Sequence, residues 1–131
     1  MAGNIMARIL AAPVLLAVAM SGGAALAGEA DIVGATARRS GDTWSFNVTV
    51  RHADTGWEHY ADRWDVVAPD GTVLASRTLL HPHVGEQPFI RSLGNVTVPD
   101  GVTRVIIRAH DTVHGLGGAE LVLDLPTDKG S

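Results

Sequence analysis

The stretch TWSFNVTVR, Thr43 to Arg51, decides the fold class. Trp44, Phe46, Val48 and Val50 alternate with Ser45, Asn47, Thr49 and Arg51, a period of two that buries one face of a strand and wets the other. Upstream, Ser40-Gly41-Asp42 reads as a turn back to a first strand, ADIVGATAR, over 30–38. Downstream, a polar loop, HADTGWEHYAD, leads into RWDVVA over 63–68. Pro69-Asp70-Gly71 then turns the chain, because proline presets φ and glycine accepts a positive one, and TVLASRTLL returns as the hairpin partner. NVTV, followed by a second Pro-Asp-Gly turn, TRVIIRAHD and AELVLDLP read as three more strands. In TRVIIRAHD, Val105, Ile107 and Ala109 share one face while Arg104, Ile106, Arg108 and His110 share the other, so His110 is expected to point away from the core. Gly, Pro or β-branched residues interrupt every helical window within two turns.

The first 27 residues stand apart. Arg8, the apolar run ILAAPVLLAVAM and the small-x-small ending Ala25-Leu26-Ala27 have the layout of a secretory signal peptide cleaved after Ala27. The apolar run is shorter than the roughly 20 residues of a membrane span. The expected organisation is a signal peptide over 1–27, a β-sandwich domain over 28–126 and a flexible tail over 127–131, in a periplasmic or secreted protein with no membrane attachment once the leader is gone. With Arg8 removed, nine basic residues face fourteen acidic ones, so no basic stripe exists to attract nucleic acid. Cysteine is absent, which leaves no thiol for a disulfide or for lipid attachment. Met1, Met6 and Met20 all lie in the leader. Any metal in the exported chain is therefore held by imidazole, carboxylate, backbone or water, which excludes Cu(I), blue-copper and iron–sulfur sites.

Seven strands in about a hundred residues, with Pro-Asp-Gly hairpins, predict an all-β Greek-key sandwich. With Trp44 in the second strand, Trp64 in the third, and RVIIRAHD followed by a loop and LVLDLP, the chain resembles the immunoglobulin or fibronectin type III class. That resemblance implies a fold and no activity. Paired cysteines and a clear tyrosine corner are missing, which separates the chain from antibody-type domains. The string WEHYADRW, HPHVGEQPF, AHDTVHGLGG also resembles a group of small exported bacterial proteins, a likeness that brings no function with it.

Six histidines, His52, His59, His81, His83, His110 and His114, are the main chemical anomaly. In LHPHVGEQPF, proline forces its neighbours into extended geometry, and residues two apart on a strand point the same way at roughly 6.6 Å. His81 and His83 can then face one ion, whereas in a polyproline II twist they diverge. His110 and His114 flank Asp111 at the mouth of a Gly-Leu-Gly-Gly loop. If that loop meets the HPH segment, His81, His83, His110 and His114, with Asp111 or Glu86, make a nitrogen and oxygen site suited to Zn²⁺ or Cu²⁺. Taken singly, each histidine is equally an exposed strand or loop residue with one backbone hydrogen bond. Pro82 and Pro88 also have a purely structural use, since each removes a donor and confines the segment to a sheet edge or a connection.

A second reading uses Trp57, Glu58, His59 and Tyr60, an aromatic and acidic loop of the kind that recognises a protein or glycan partner without a metal. No enzymatic signature accompanies either. There is no GxSxG elbow, Gly115 to Gly118 lacks the lysine of a phosphate loop, and HDTVH is not HExxH on a helix. The expectation is a non-catalytic exported β-sandwich that binds Zn or Cu(II) through histidines, in storage, delivery or sensing.

Overall fold

The computed structural model describes residues 28–126; the leader expected over 1–27 and the tail expected over 127–131 lie outside the described residues. Among the described residues there is no helix, and the chain forms eight strands. These are β1 (Asp31–Ser40), β2 (Thr43–Arg51), β3 (Ala61–Val67), β4 (Val73–Thr78), β5 (Phe89–Val96), β6 (Arg104–Asp111), β7 (Gly115–Leu116) and β8 (Leu121–Asp124). They build two antiparallel sheets. One has the order β1-β2-β5; the other has the order β4-β3-β6, with β7 and β8 both paired to the remaining edge of β6.

The period-two pattern of β2 is realised in full: Trp44, Phe46, Val48 and Val50 are buried. From the other sheet Trp64 and Val66 on β3, and Val105, Ile107 and Ala109 on β6, meet them in one core, closed at its margins by Leu79, Phe89, Val96 and Leu125. Burial of each large side chain contributes about 1.5–3 kcal/mol, and with no disulfide this packing is what opposes the chain entropy.

Two expectations need correction and a third is narrowed. The fifth strand is Phe89–Val96, not NVTV. Its period is hidden because Ile90 is 59 % exposed and because a bulge at the Gly94-Asn95 step, with Asn95 at φ 57°, resembles a turn. Of the two Pro-Asp-Gly turns only the first is a hairpin. It joins β3 to β4, and Ala68 N–H donates to Thr72 O at 2.8 Å. The second, at Pro99 to Gly101, carries the chain from one sheet to the other. Of the two places open to HPHVGEQPF, a sheet edge or a connection, the chain uses the connection: the segment is the crossover from β4 to β5 between the sheets.

Candidate metal centre

Two core-facing stripes end in polar residues at the same end of the molecule. Along β6 the buried positions run Val105, Ile107, Ala109, Asp111. Along β2 they run Trp44, Phe46, Val48, Val50, and the alternation continues one step past the strand to His52, which is 3 % exposed. His52 and Asp111 thus come from different sheets and point into the same space, with His52 Nε2 3.6 Å from Asp111 Oδ2.

The β2–β3 connection brings the third member. Thr55 N–H donates to His59 O at 3.0 Å and His59 N–H to Gly56 O at 3.2 Å, a tight reversal that turns the chain back over the end of the sheets. Gly56 permits it at φ +147°, where a Cβ would approach Glu58 Oε1 to 2.9 Å. His59 Nε2 then lies 3.2 Å from His52 Nε2 and 3.3 Å from Asp111 Oδ1. His52, His59 and Asp111 each offer one ligand atom, all within 4.8 Å of one another. His114 stands beside them, Nδ1 3.3 Å from Asp111 Oδ1 and its ring 5.0 Å from that of His59.

His52 and Asp111 are each oriented from behind. His52 Nδ1–H donates to Asp54 Oδ1 at 2.6 Å, and Asp54 also accepts from Ala61 N–H at 3.0 Å and His83 N–H at 2.7 Å. This is the carboxylate–imidazole pairing that fixes a ring's tautomer and aims its other nitrogen. The Asp111 Oδ1 atom accepts the N–H groups of Val113 and His114 at 2.8 and 2.6 Å, while its Oδ2 is buried with no hydrogen-bond partner.

The electrostatics follow from these contacts. Burial works against a charged His52, but the hydrogen bond to Asp54 and the charges of Asp54 and Asp111 outweigh it and raise its pKa. Burial likewise opposes ionisation of Asp54 and Asp111. In Asp54 the bonds from His52, His83 and Ala61 outweigh it; in Asp111 the two turn N–H groups and nearby His52 do, so both stay below the usual carboxylate range.

With Nδ1–H committed to Asp54, neutral His52 directs a lone pair from Nε2 toward two acceptors, Gly28 O at 3.0 Å and Asp111 Oδ2 at 3.6 Å, with His59 Nε2 at 3.2 Å. Such a group is relieved by a proton on His52 Nε2, by the His59 tautomer that carries its proton on Nε2, or by a cation. Ligands at about 2.0–2.2 Å from a tetrahedral ion are separated by roughly 3.3–3.6 Å. The His52–His59 nitrogen separation of 3.2 Å is close to that edge; His59 lies 3.3 Å from Asp111 Oδ1 and His52 lies 3.6 Å from Asp111 Oδ2, so the two rings approach different oxygens of the carboxylate.

Of the residues expected to share one ion, Asp111 and His114 lie in or beside this cluster, and the others do not. His81 and His83 do sit side by side, rings 4.7 Å apart, but the His83 ring is stacked on Phe89 and its Nε2 accepts from Arg91 at 2.7 Å. Burial, with the charges of Arg91 and His81, lowers the His83 pKa. That segment serves the site through backbone instead, by His83 N–H to Asp54 and by the Gln87 side chain, which accepts from His52 N–H at 3.0 Å. His110 faces away from the core, as its register requires, and its Nδ1 donates to Asp62 Oδ1 at 2.6 Å. Glu86 is exposed. In the aromatic loop Trp57 is 64 % exposed and packs edge-on against Tyr60, while His59 turns inward to the cluster.

His52 and His59 were not among the residues singled out for a metal. The signal for His52 was present, since Trp44-Phe46-Val48-Val50-His52 is one uninterrupted alternation. For His59 there was none, because its position depends on the turn at Gly56.

No family model matches the chain, and no solved structure matches it. A protein of Halomicrobium mukohataei that bears the name "Putative lipoprotein" is 41 % identical to it over 104 residues, which is 79 % of this chain and 50 % of that protein. The chain thus spans half the length of this relative.

Proposed function

We propose that this protein is an exported, non-catalytic β-sandwich that binds a divalent cation, Zn²⁺ or Cu²⁺, through His52, His59 and Asp111, with His114 at the margin of the site. The observation that carries this reading is the convergence of His52, His59 and Asp111, whose ligand atoms lie within 4.8 Å of one another, on a buried carboxylate oxygen with no donor. Nitrogen and oxygen ligands suit these two ions, and the want of thiol or thioether after Met20 argues against soft ones. Export is supported by the signal-peptide layout of residues 1–27 and by the name of the relative. The order β1-β2-β5 against β4-β3-β6-β8 supports a fibronectin type III-like Greek key, a scaffold that by itself implies no chemistry. Storage, delivery or sensing of the ion is the role this geometry favours.

Calorimetric titration of residues 28–131 with Zn²⁺ and with Cu²⁺ tests the proposal. His59→Ala, whose ring is partly exposed, is expected to weaken binding by about 10–100-fold or more, since even loss of an outer partner has that effect. His81→Ala and His110→Ala are expected to bind like the parent. Affinity no tighter than an exposed histidine pair gives, or affinity that falls with His81 and not with His59, would overturn it.

A further inference from the structure

The Gly-Leu-Gly-Gly loop holds the start of the described chain. Ile32 N–H donates to Ala119 O at 2.9 Å, Ala119 N–H donates to Asp31 Oδ1 at 2.8 Å, and Ala30 is fully buried. Gly118 lies flat against the Ala30 carbonyl, where any Cβ would overlap that oxygen, and a Cβ on Gly117 would meet Glu29 Cγ at 3.1 Å. So pinned, residues 28–30 lead directly to the cluster, and the Gly28 carbonyl ends 3.0 Å from His52 Nε2.

Gly28 is also the residue expected to become the first of the exported protein. Hydrolysis of the Ala27–Gly28 peptide bond leaves a carboxylate on Ala27 and turns the Gly28 nitrogen from an amide, whose lone pair is delocalised into the carbonyl, into an amine that can donate to a metal. The amine nitrogen and carbonyl oxygen of one glycine close a five-membered ring with a metal ion. We propose that leader cleavage completes the metal centre: the α-amino group and carbonyl of Gly28 chelate the ion held by His52, His59 and Asp111, so the site reaches full strength only in the exported, processed chain. This deepens the metal reading above and rests on it.

The test compares Zn²⁺ affinity in three preparations: residues 28–131 with a free amine, the same chain acetylated at Gly28, and the chain beginning at Ala27. The free-amine form is expected to bind roughly tenfold or more tightly than both others, the effect of losing a ligand. With ¹⁵N-labelled glycine, Cu²⁺ bound to the free-amine form is expected to show coupling to the Gly28 nitrogen that the acetylated form lacks. Intact mass of the exported protein is expected to place its first residue at Gly28. Equal affinity in the three preparations, with binding still lost in His59→Ala, would overturn the role of the amine and leave the histidine site standing. Binding too weak for a built site in all three overturns both, and so does indifference to His59→Ala. A first residue other than Gly28 overturns the role of the amine.

Discussion

The two oxygens of Asp111 have different surroundings: Oδ1 accepts two turn N–H groups, while Oδ2 is buried and has no hydrogen-bond partner. An unsatisfied buried acceptor costs about 1–3 kcal/mol, and more when charged. Asp111→Asn keeps an oxygen for the turn and puts an NH₂ donor where the orphan lies, facing the rings. The metal-free variant is therefore expected to melt no lower than the parent, and up to several degrees higher, while its Zn²⁺ affinity falls steeply. Thermal melting without metal, set beside calorimetry, checks this, and a large loss of metal-free stability would contradict it. Asp54→Asn is expected to behave oppositely. Asp54 takes hydrogen bonds from His52, Ala61 and His83 on its two oxygens, so an NH₂ there opposes a backbone N–H, and stability and affinity fall together. At this scale the sequence was half legible. His52 and Asp111 each end an alternating run and could be read from period alone, whereas the approach of His59 and Gly28 depends on chain reversals that no periodicity encodes.

Among the elements, β3 is tied to both its neighbours by one buried carboxylate. Asp65 accepts from Arg63 on its own strand, Ser76 on β4 and Arg108 on β6, at 2.9, 2.7 and 2.9 Å. Burial opposes its ionisation, but these hydrogen bonds outweigh that and lower its pKa. A depressed folded-state value means stability that is whole above the unfolded carboxyl value of about 3.9 and lost as pH falls through the lower folded value. The Asp65 contribution to the urea midpoint is expected to be whole at about pH 5 and above and to fall below about pH 4. Asp65→Asn should be weaker at neutral pH and show a shallower acid decline. Gly118→Ala must separate two backbones. It is expected to cost about 1–3 kcal/mol by denaturant titration and, by displacing Gly28, to weaken Zn²⁺ binding in the free-amine protein more than in the acetylated one. Strands β2 and β6 were readable because each buries one clean face. The strand Phe89–Val96 was not, because a bulge and an exposed Ile90 break its period, and the two Pro-Asp-Gly turns look alike locally although one closes a hairpin and the other changes sheets.

For the molecule as a whole, an ion at the proposed site would be a bridge. His52 follows a strand of one sheet and Asp111 ends a strand of the other, so the folded state alone presents the ligands together. Ligand binding to the native state at a hundred times its dissociation constant adds about 2.7 kcal/mol. For a domain of this size that is a rise of roughly 10–20 °C in melting temperature. Scanning calorimetry with and without Zn²⁺ is expected to show it, and the rise should vanish in His59→Ala. The class of fold was legible because side-chain alternation is local. The pairing of the two sheets' ends was not, because it is made by contacts between residues 52 and 111 that only tertiary packing brings within reach. The two stripes also have a meaning for folding. Side chains on a strand alternate strictly, so a slip of one residue in β2 or β6 would turn His52 or Asp111 outward along with every core residue behind it. Slipped and true pairings have nearly the same strand content, and a spectroscopic count of β-structure does not tell them apart. On the proposed metal reading affinity would: among refolded molecules, the fraction that captures Zn²⁺ tightly would be the fraction in which both sheets have found their register.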